Sequence, residues 1–142
     1  MKYRIIIDPS IDEEITVYAR ERTDTLAKIE KLLSSERTEL IGYKHDEIVP
    51  LNSKEIVCFF VEAGKVFACT EHNKYALKER LYTLEERFPD FMKINQSCIV
   101  RVDKIKRFET SIGGALTVIL EGGYRDYVSR RQIKTVKERI GF

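Results

Sequence analysis

Ser129-Arg130-Arg131-Gln132 places two guanidinium groups directly after a hydroxyl and just before an amide. Ser-x-x-Gln is a capping-box spacing, which sets a helix N-terminus at Arg130. Two arginines there are unfavourable by about some tenths of a kcal/mol each, because they add charge to the positive end of the helix dipole. With an anion bound the arrangement turns favourable. Free backbone N–H groups, the dipole and both guanidinium groups then converge on one point. Two readings stand open: both arginines pair with carboxylates such as Asp126, or the corner meets DNA and one arginine contacts guanine through two hydrogen bonds.

A second polar stretch, Lys93-Ile94-Asn95-Gln96-Ser97, lies between Phe91 and the apolar Cys98-Ile99-Val100. Amides of Asn or Gln can make the paired hydrogen bonds that read adenine, whereas Lys and Ser suit phosphates. An ordinary capped loop has the same composition, so spacing alone does not choose.

Other chemistry finds little support. His45 and His72 have no nearby Cys or paired acids at ligand spacing, which suggests neither a metal site nor a triad. No Gly-x-Gly-x-x-Gly or Walker A pattern occurs, and Glu85-Glu86 reads as solvated helix surface. The expectation is a chain that is not an enzyme and uses no cofactor or small-molecule substrate. Cys58, Cys69 and Cys98 are an odd number at wide spacing inside apolar runs, which reads as buried, reduced thiols of a cytosolic protein.

The elements that must hold these residues follow from pattern. A chain of 142 residues, 43% hydrophobic and 34% charged, is about one soluble domain with a small appended piece. Its net charge of +2 is unevenly spread: residues 1–37 carry 7 basic and 8 acidic side chains, residues 38–90 carry 7 and 10, and residues 91–142 carry 11 and 5. The basic last third suggests an anionic partner. Ile5-Ile6-Ile7 is too short for a signal-peptide core, and the run Ile56 to Val61 is far short of a membrane span. The expected location is therefore the cytoplasm.

Residues 1–37 read as a β-β-α extension: strands over Lys2–Ile7 and Glu14–Arg20, then a helix capped by Thr23 or Asp24 with Leu26, Ile29 and Leu33 on one face. Such a thin core must pack against the rest of the chain or a second copy. From Thr38 on, short strands dominate. Ile56–Val61 and Val66–Cys69 flank a hairpin turn at Glu62-Ala63-Gly64-Lys65. An amphipathic helix carries Leu77, Leu81, Leu84 and Phe88 and stops at Pro89. Strands follow at Cys98–Val102, Ile105–Thr110, Ala115–Glu121 and Tyr124–Val128, with turns at Gly113-Gly114 and Gly122-Gly123. A closing helix has Ile133, Val136 and Ile140 as its stripe.

Three of these stretches resemble the LytTR family of bacterial DNA-binding domains. They are Glu55-Ile56-Val57-Cys58-Phe59-Phe60-Val61-Glu62, then Phe91 to Val100 continued by Asp103-Lys104-Ile105, and Gly123-Tyr124-Arg125-Asp126-Tyr127-Val128-Ser129-Arg130-Arg131. The middle stretch is similar to the family's Phe, basic residue and Ser before a Val-ending strand. The last is similar to its Gly followed by Val-Ser-Arg. Arg101 departs from the pattern, standing where the family usually has Asn.

The resemblance implies an elongated, mainly β (α+β overall) domain over residues 38–142 that inserts loops into the major groove of double-stranded DNA to regulate transcription. It implies base readout by Gln96, Arg131 and Lys65, and phosphate contacts from Lys93, Asn95, Ser97, Ser129, Arg130 and Lys134. Lys65 is singled out by the resemblance alone. No receiver domain fits in residues 1–37, so phosphorelay control on this chain is not expected. The expected partners are DNA, a second copy of the chain and, at the level of the family, a membrane protein in signalling. Rival readings are a protein–protein module or a DNA binder without sequence preference. The DNA reading requires Lys65, Gln96 and the Arg130–Arg131 corner to share one exposed edge.

Overall fold

The computed structural model describes residues 2–12, 14–33 and 39–142. The chain divides into two units, Met1–Glu36 and Arg37–Phe142. The expected boundary between residues 37 and 38 lies outside the described residues.

In the first unit, helix α1 spans Asp24–Leu33. Thr23 caps it: its Oγ1 accepts the Leu26 N–H at 3.2 Å and its carbonyl accepts the Ala27 N–H at 3.0 Å. Leu26, Ile29 and Leu33 of α1 line a shallow cavity of about 470 Å³ with Ile15 and Val17. The two expected strands are a correction. The described residues of 2–7 and 14–20 take irregular backbone, and Tyr3, Ile5, Ile6 and Ile7 are 67–88% exposed. Alternation of apolar residues makes a strand possible, but a partner must satisfy its N–H and C=O groups.

The second unit is mainly β. Strands β1 (Leu40–Lys44), β2 (Glu47–Leu51), β3 (Cys58–Glu62), β4 (Lys65–Cys69), β5 (Lys74–Leu77), β6 (Phe91–Asn95) and β7 (Cys98–Arg101) form one sheet in the order β2-β1-β5-β4-β3-β7-β6. Strands β8 (Ile105–Thr110), β9 (Leu116–Leu120) and β10 (Arg125–Val128) form a second, in the order β10-β9-β8. Helix α2 (Leu81–Arg87) stands between β5 and β6, and helix α3 (Arg130–Ile140) ends the chain.

The larger sheet is buried on both faces near its centre, which explains why Ile56–Val61 is an unbroken apolar run. Cys58, Phe60, Cys98 and Val100 point to one core with Met92, Ile94, Leu116, Val118, Val128 and Val136. That core joins β9, β10 and α3 to the sheet. The alternate residues Phe59 and Ile99 point to the other core, with Leu84 and Phe88 from around α2 and with Leu40, Leu51 and Phe91. Phe59 lies 4.8 Å from Phe91 and 6.0 Å from Phe88, ring centre to ring centre. The edges of the sheet differ. Strand β6 is covered by α3, whereas β2 is open and carries Pro50 opposite Ile41.

The turn of the β3–β4 hairpin is Ala63-Gly64, both with positive φ (52° and 74°), as a type I′ turn requires. Helix α2 starts later than its apolar spacing indicates. Leu77 belongs to β5, paired with Val66, although it packs into the same core as Leu84. Strand β7 likewise stops at Arg101, and Val102 opens a 3₁₀ turn.

Candidate nucleic-acid interface

The β3–β4 turn, the β6–β7 turn and the start of α3 meet at one end of the larger sheet. Strands β3 and β7 are antiparallel with Phe60 opposite Cys98, so β3 finishes where β7 begins. The Val61 N–H donates to the Ser97 carbonyl at 2.8 Å, which holds the Glu62–Lys65 hairpin tip beside the Gln96-Ser97 turn. Strand β6 delivers the third component. The Ser129 N–H donates to the Ile94 carbonyl at 2.8 Å, so the first turn of α3 starts next to the end of β6.

Asn95 ties this end together, and its expected phosphate contact is a correction. It is only 1% exposed. Its Nδ2 donates to the Tyr127 carbonyl at 2.8 Å, and its Oδ1 accepts the Ser97 N–H at 2.8 Å. A β-bulge between Lys93 and Asn95 re-aims it, so that Lys93 is opposite Ile99 but Asn95 is opposite Cys98. Asn95 thereby folds the tight turn that exposes Gln96 and pins that turn to β10. Sequence reasoning missed this positioning role; the available signal was Asn two residues before Ser at the end of an apolar strand.

The same bulge decides Lys93. It lies on a strand rather than in a loop, half-buried on the face of Ile99 and Phe91, opposite the face on which α3 packs. Gln96, Ser97, Lys65, Arg130, Arg131 and Lys134 are exposed, and Ser129 is half-buried. The structure brings together Lys65, Gln96, Ser97, Ser129 and the Arg130–Arg131 corner, with Lys134 one turn along α3.

The capping box is a second correction. Ser129 occupies the N-cap position, yet its side chain makes no cap hydrogen bond. Its carbonyl accepts the Gln132 N–H at 2.9 Å and the Ile133 N–H at 3.2 Å instead. The hydroxyl is therefore left for another partner, and no acidic residue occupies the first turn of α3.

Pairing separates the basic residues into two groups. Arg107 and Arg125 share Glu109, at 3.0 and 2.9 Å, and Lys104 meets Glu121 at 3.4 Å. Arg139 donates to the carbonyls of Pro89 and Phe91. Arg101, at the end of β7 away from the Gln96 turn, is buried. It donates to the Ser53 carbonyl at 3.2 Å, and its Nε lies 2.7 Å from Asp103 Oδ1. Among the described residues Arg130, Arg131, Lys65 and Lys134 form no ion pair. Asp126, the carboxylate that could have taken an arginine, accepts the Tyr127 N–H at 2.8 Å. The corner thus presents unneutralised positive charge, free backbone donors and an exposed amide side by side, a surface suited to phosphates and base edges.

The LytTr DNA-binding domain family matches residues 46–141. The chain belongs to the LytTR family. Residues 46–141 are accordingly a LytTR DNA-binding domain, and the mainly β unit described above is its fold. A solved LytTr DNA-binding domain of a putative methyl-accepting/DNA response regulator from Bacillus cereus is similar in fold, with a TM-score of 0.69 and 18% identity. That likeness covers 75% of this chain and 99% of the other. Two proteins of Staphylococcus aureus, strains NCTC 8325 and bovine RF122, are 31% and 30% identical over 144 residues. Each match covers 99% of this chain and 98% of the relative, so it includes the first unit. Both are named as uncharacterized HTH-type transcriptional regulators. In the LytTR unit described here, α2 and α3 are separated by five strands, so no helix-turn-helix stands among the described residues. None of their helices is long and apolar enough to cross a membrane.

Proposed function

We propose that this LytTR chain is a cytoplasmic transcription regulator that reads a specific duplex by placing the Gln96 turn and the Arg130–Arg131 corner in the major groove. The observation that carries the reading is the junction of the unpaired arginines with the exposed Gln96 turn, through the Ser129–Ile94 and Asn95–Tyr127 hydrogen bonds. Gln96, Arg131 and Lys65 are the proposed base contacts. Ser97, Ser129, Arg130 and Lys134 are the proposed phosphate contacts. Lys93, half-buried on the other face of β6, is a proposed phosphate contact outside this cluster.

Two copies are proposed to bind paired half-sites, with the apolar surface of Met1–Glu36 as the contact between them. A membrane protein remains the proposed signalling partner. The test is selection of bound duplexes from a random pool, followed by mobility shift of the selected and random duplexes at several salt concentrations. The reading expects the selected duplex to bind more tightly by a factor of about 10³ or more. Equal affinity for both would make the chain a DNA binder without base readout. Absence of binding at low salt would leave the protein–protein module.

A further inference from the structure

Three thiols spaced far apart in sequence converge in the core beside the interface. Cys58 on β3 is directly opposite Cys69 on β4, which is in turn opposite Lys74 on β5. Facing side chains on neighbouring antiparallel strands have Cβ atoms about 4.5–5.5 Å apart. Cys98 lies one row away from Cys58, opposite Phe60, and the Cys69 thiol donates to the Thr70 carbonyl at 3.4 Å. Burial differs among the three: Cys58 and Cys98 are fully buried, whereas Cys69 is half-buried, against the expectation that all three are buried.

Access to Cys69 is through a cleft of about 350 Å³ between the two sheets, which also meets Phe60, Glu62, Lys74, Tyr124 and Asp126. Lys74 is held there by Glu62 at 3.7 Å and by the Phe67 ring at 4.7 Å. The Cys69 thiol is lowered to about 7, first by the Cys58 hydrogen bond and then, against its own partial burial, by the Lys74 ammonium. Burial pushes the Cys58 thiol well above its ordinary value. One thiol thus has a lowered pKa, lines the cleft and lies beside a cation, and its cross-strand neighbour is protonated and buried until the first is oxidised.

We propose that Cys69 is a peroxide-reactive thiol and Cys58 its resolving partner, joined on oxidation by a cross-strand disulfide that weakens specific DNA binding. In the first step the Cys69 thiolate attacks a hydroperoxide; the O–O bond breaks, an S–O bond forms, and the departing alkoxide or hydroxide takes a proton. In the second, the Cys58 sulfur attacks Cys69; the S–S bond forms, the S–O bond breaks, and hydroxide leaves with the Cys58 proton as water. Two electrons pass from the thiols to the peroxide, and a dithiol reductant reverses the result.

The effect on DNA rests on the interface proposed above. An S–S bond of about 2.05 Å draws the two sulfurs closer than non-bonded contact allows, so β3 and β4 must shift. Strand β3 carries both the Lys65 hairpin and, through Val61, the hold on Ser97.

The test treats the reduced full chain with one equivalent of hydrogen peroxide, blocks the remaining thiols and maps peptides without reduction. The expected product is an intramolecular Cys58–Cys69 link, unaffected in Cys98→Ala and absent in Cys69→Ser. Cys58→Ala, checked by circular dichroism for folding, should leave a sulfenic acid on Cys69 that a dione probe captures. A link to Cys98, a link between chains, or over-oxidation of Cys69 without a link overturns the pair. In parallel, mobility shift on the selected duplex should show affinity falling on the order of tenfold on oxidation, what one lost base contact is worth, and returning with dithiothreitol. Equal affinity of the two redox forms overturns the regulatory half. If the reduced chain selects no duplex, the interface reading fails, and the peptide map still decides the thiol pair.

Discussion

Arg131 and Lys134 should fail in different ways when truncated. Arg131→Ala removes a proposed base contact, so affinity for the selected duplex should fall by about 1–3 kcal/mol and the preference over single-base variants should flatten. Lys134→Ala removes a proposed phosphate contact; selected and random duplexes should weaken alike, with the salt slope reduced by about one. An unchanged specific-to-random ratio in Arg131→Ala would remove it as a reader. Asn95→Ala belongs to neither class. It removes the hydrogen bonds to the Tyr127 carbonyl and the Ser97 N–H, each worth about 0.5–1.5 kcal/mol, so thermal unfolding should show a loss of about 1–3 kcal/mol together with weaker DNA binding.

Titration gives a third test at this scale. Because the Cys69 pKa is lowered, its thiolate persists to lower pH, and iodoacetamide alkylation should rise with a midpoint near about 7. In Cys58→Ala the midpoint should move up; an unmoved midpoint would mean that the neighbouring thiol does not set it. At this scale the arginines stood out because like charge at a helix start is costly without an anion, whereas Gln96 and Lys65 were singled out by the family resemblance. The role of Asn95 was not legible, because a bulge, invisible in residue types, turned it inward.

Elements were most legible where glycine marks the turns. Gly64, Gly113, Gly114, Gly122 and Gly123 all have positive φ, and the strands they connect fall within a few residues of the expected places. Leu77 was misassigned because one apolar residue satisfies a helical stripe and a strand face equally. Strand β6 was obscured because Lys93 and Asn95 interrupt its apolar pattern, and the strands expected within Lys2–Ile7 and Glu14–Arg20 find no partner among the described residues. The β3–β4 turn carries a correctable strain. Ala63 sits at φ 52°, a conformation that costs a residue with a Cβ about 1–2 kcal/mol. Asn-Gly is the favoured pair for this turn, so Ala63→Asn should raise stability by roughly 0.5–1 kcal/mol and the melting temperature by a few degrees. Calorimetry showing no gain would mean that the turn is relaxed as it stands.

At the scale of the whole molecule the two units differ in how well they cover themselves. The LytTR unit closes two cores, whereas Met1–Glu36 leaves Ile5, Ile6, Ile7, Ile11 and Ile15 64–85% exposed. So small a unit buries too little surface to hold itself. Sedimentation of the full chain should therefore show two copies per selected duplex, and Ile6→Glu combined with Ile15→Glu should reduce this to one without altering the LytTR unit's circular dichroism. One copy per duplex at saturating wild-type protein would refute the proposed pairing. The thinness of the apolar pattern was legible; what covers it was not, since apolar surface is non-directional and names no occupant.

Strand β2 decides how the molecule behaves in a crowded cell. It is the open edge of a seven-stranded sheet, and an open edge is a template on which strands of other molecules can polymerise. Pro50 removes one N–H from that template, and Glu47 puts a carboxylate at its start, so a foreign strand meets a gap and a charge where it needs a continuous ladder. At the sheet's other margin α3 covers β6. A LytTR unit built this way resists forming fibrils through its larger sheet with no other described element of the unit over β2.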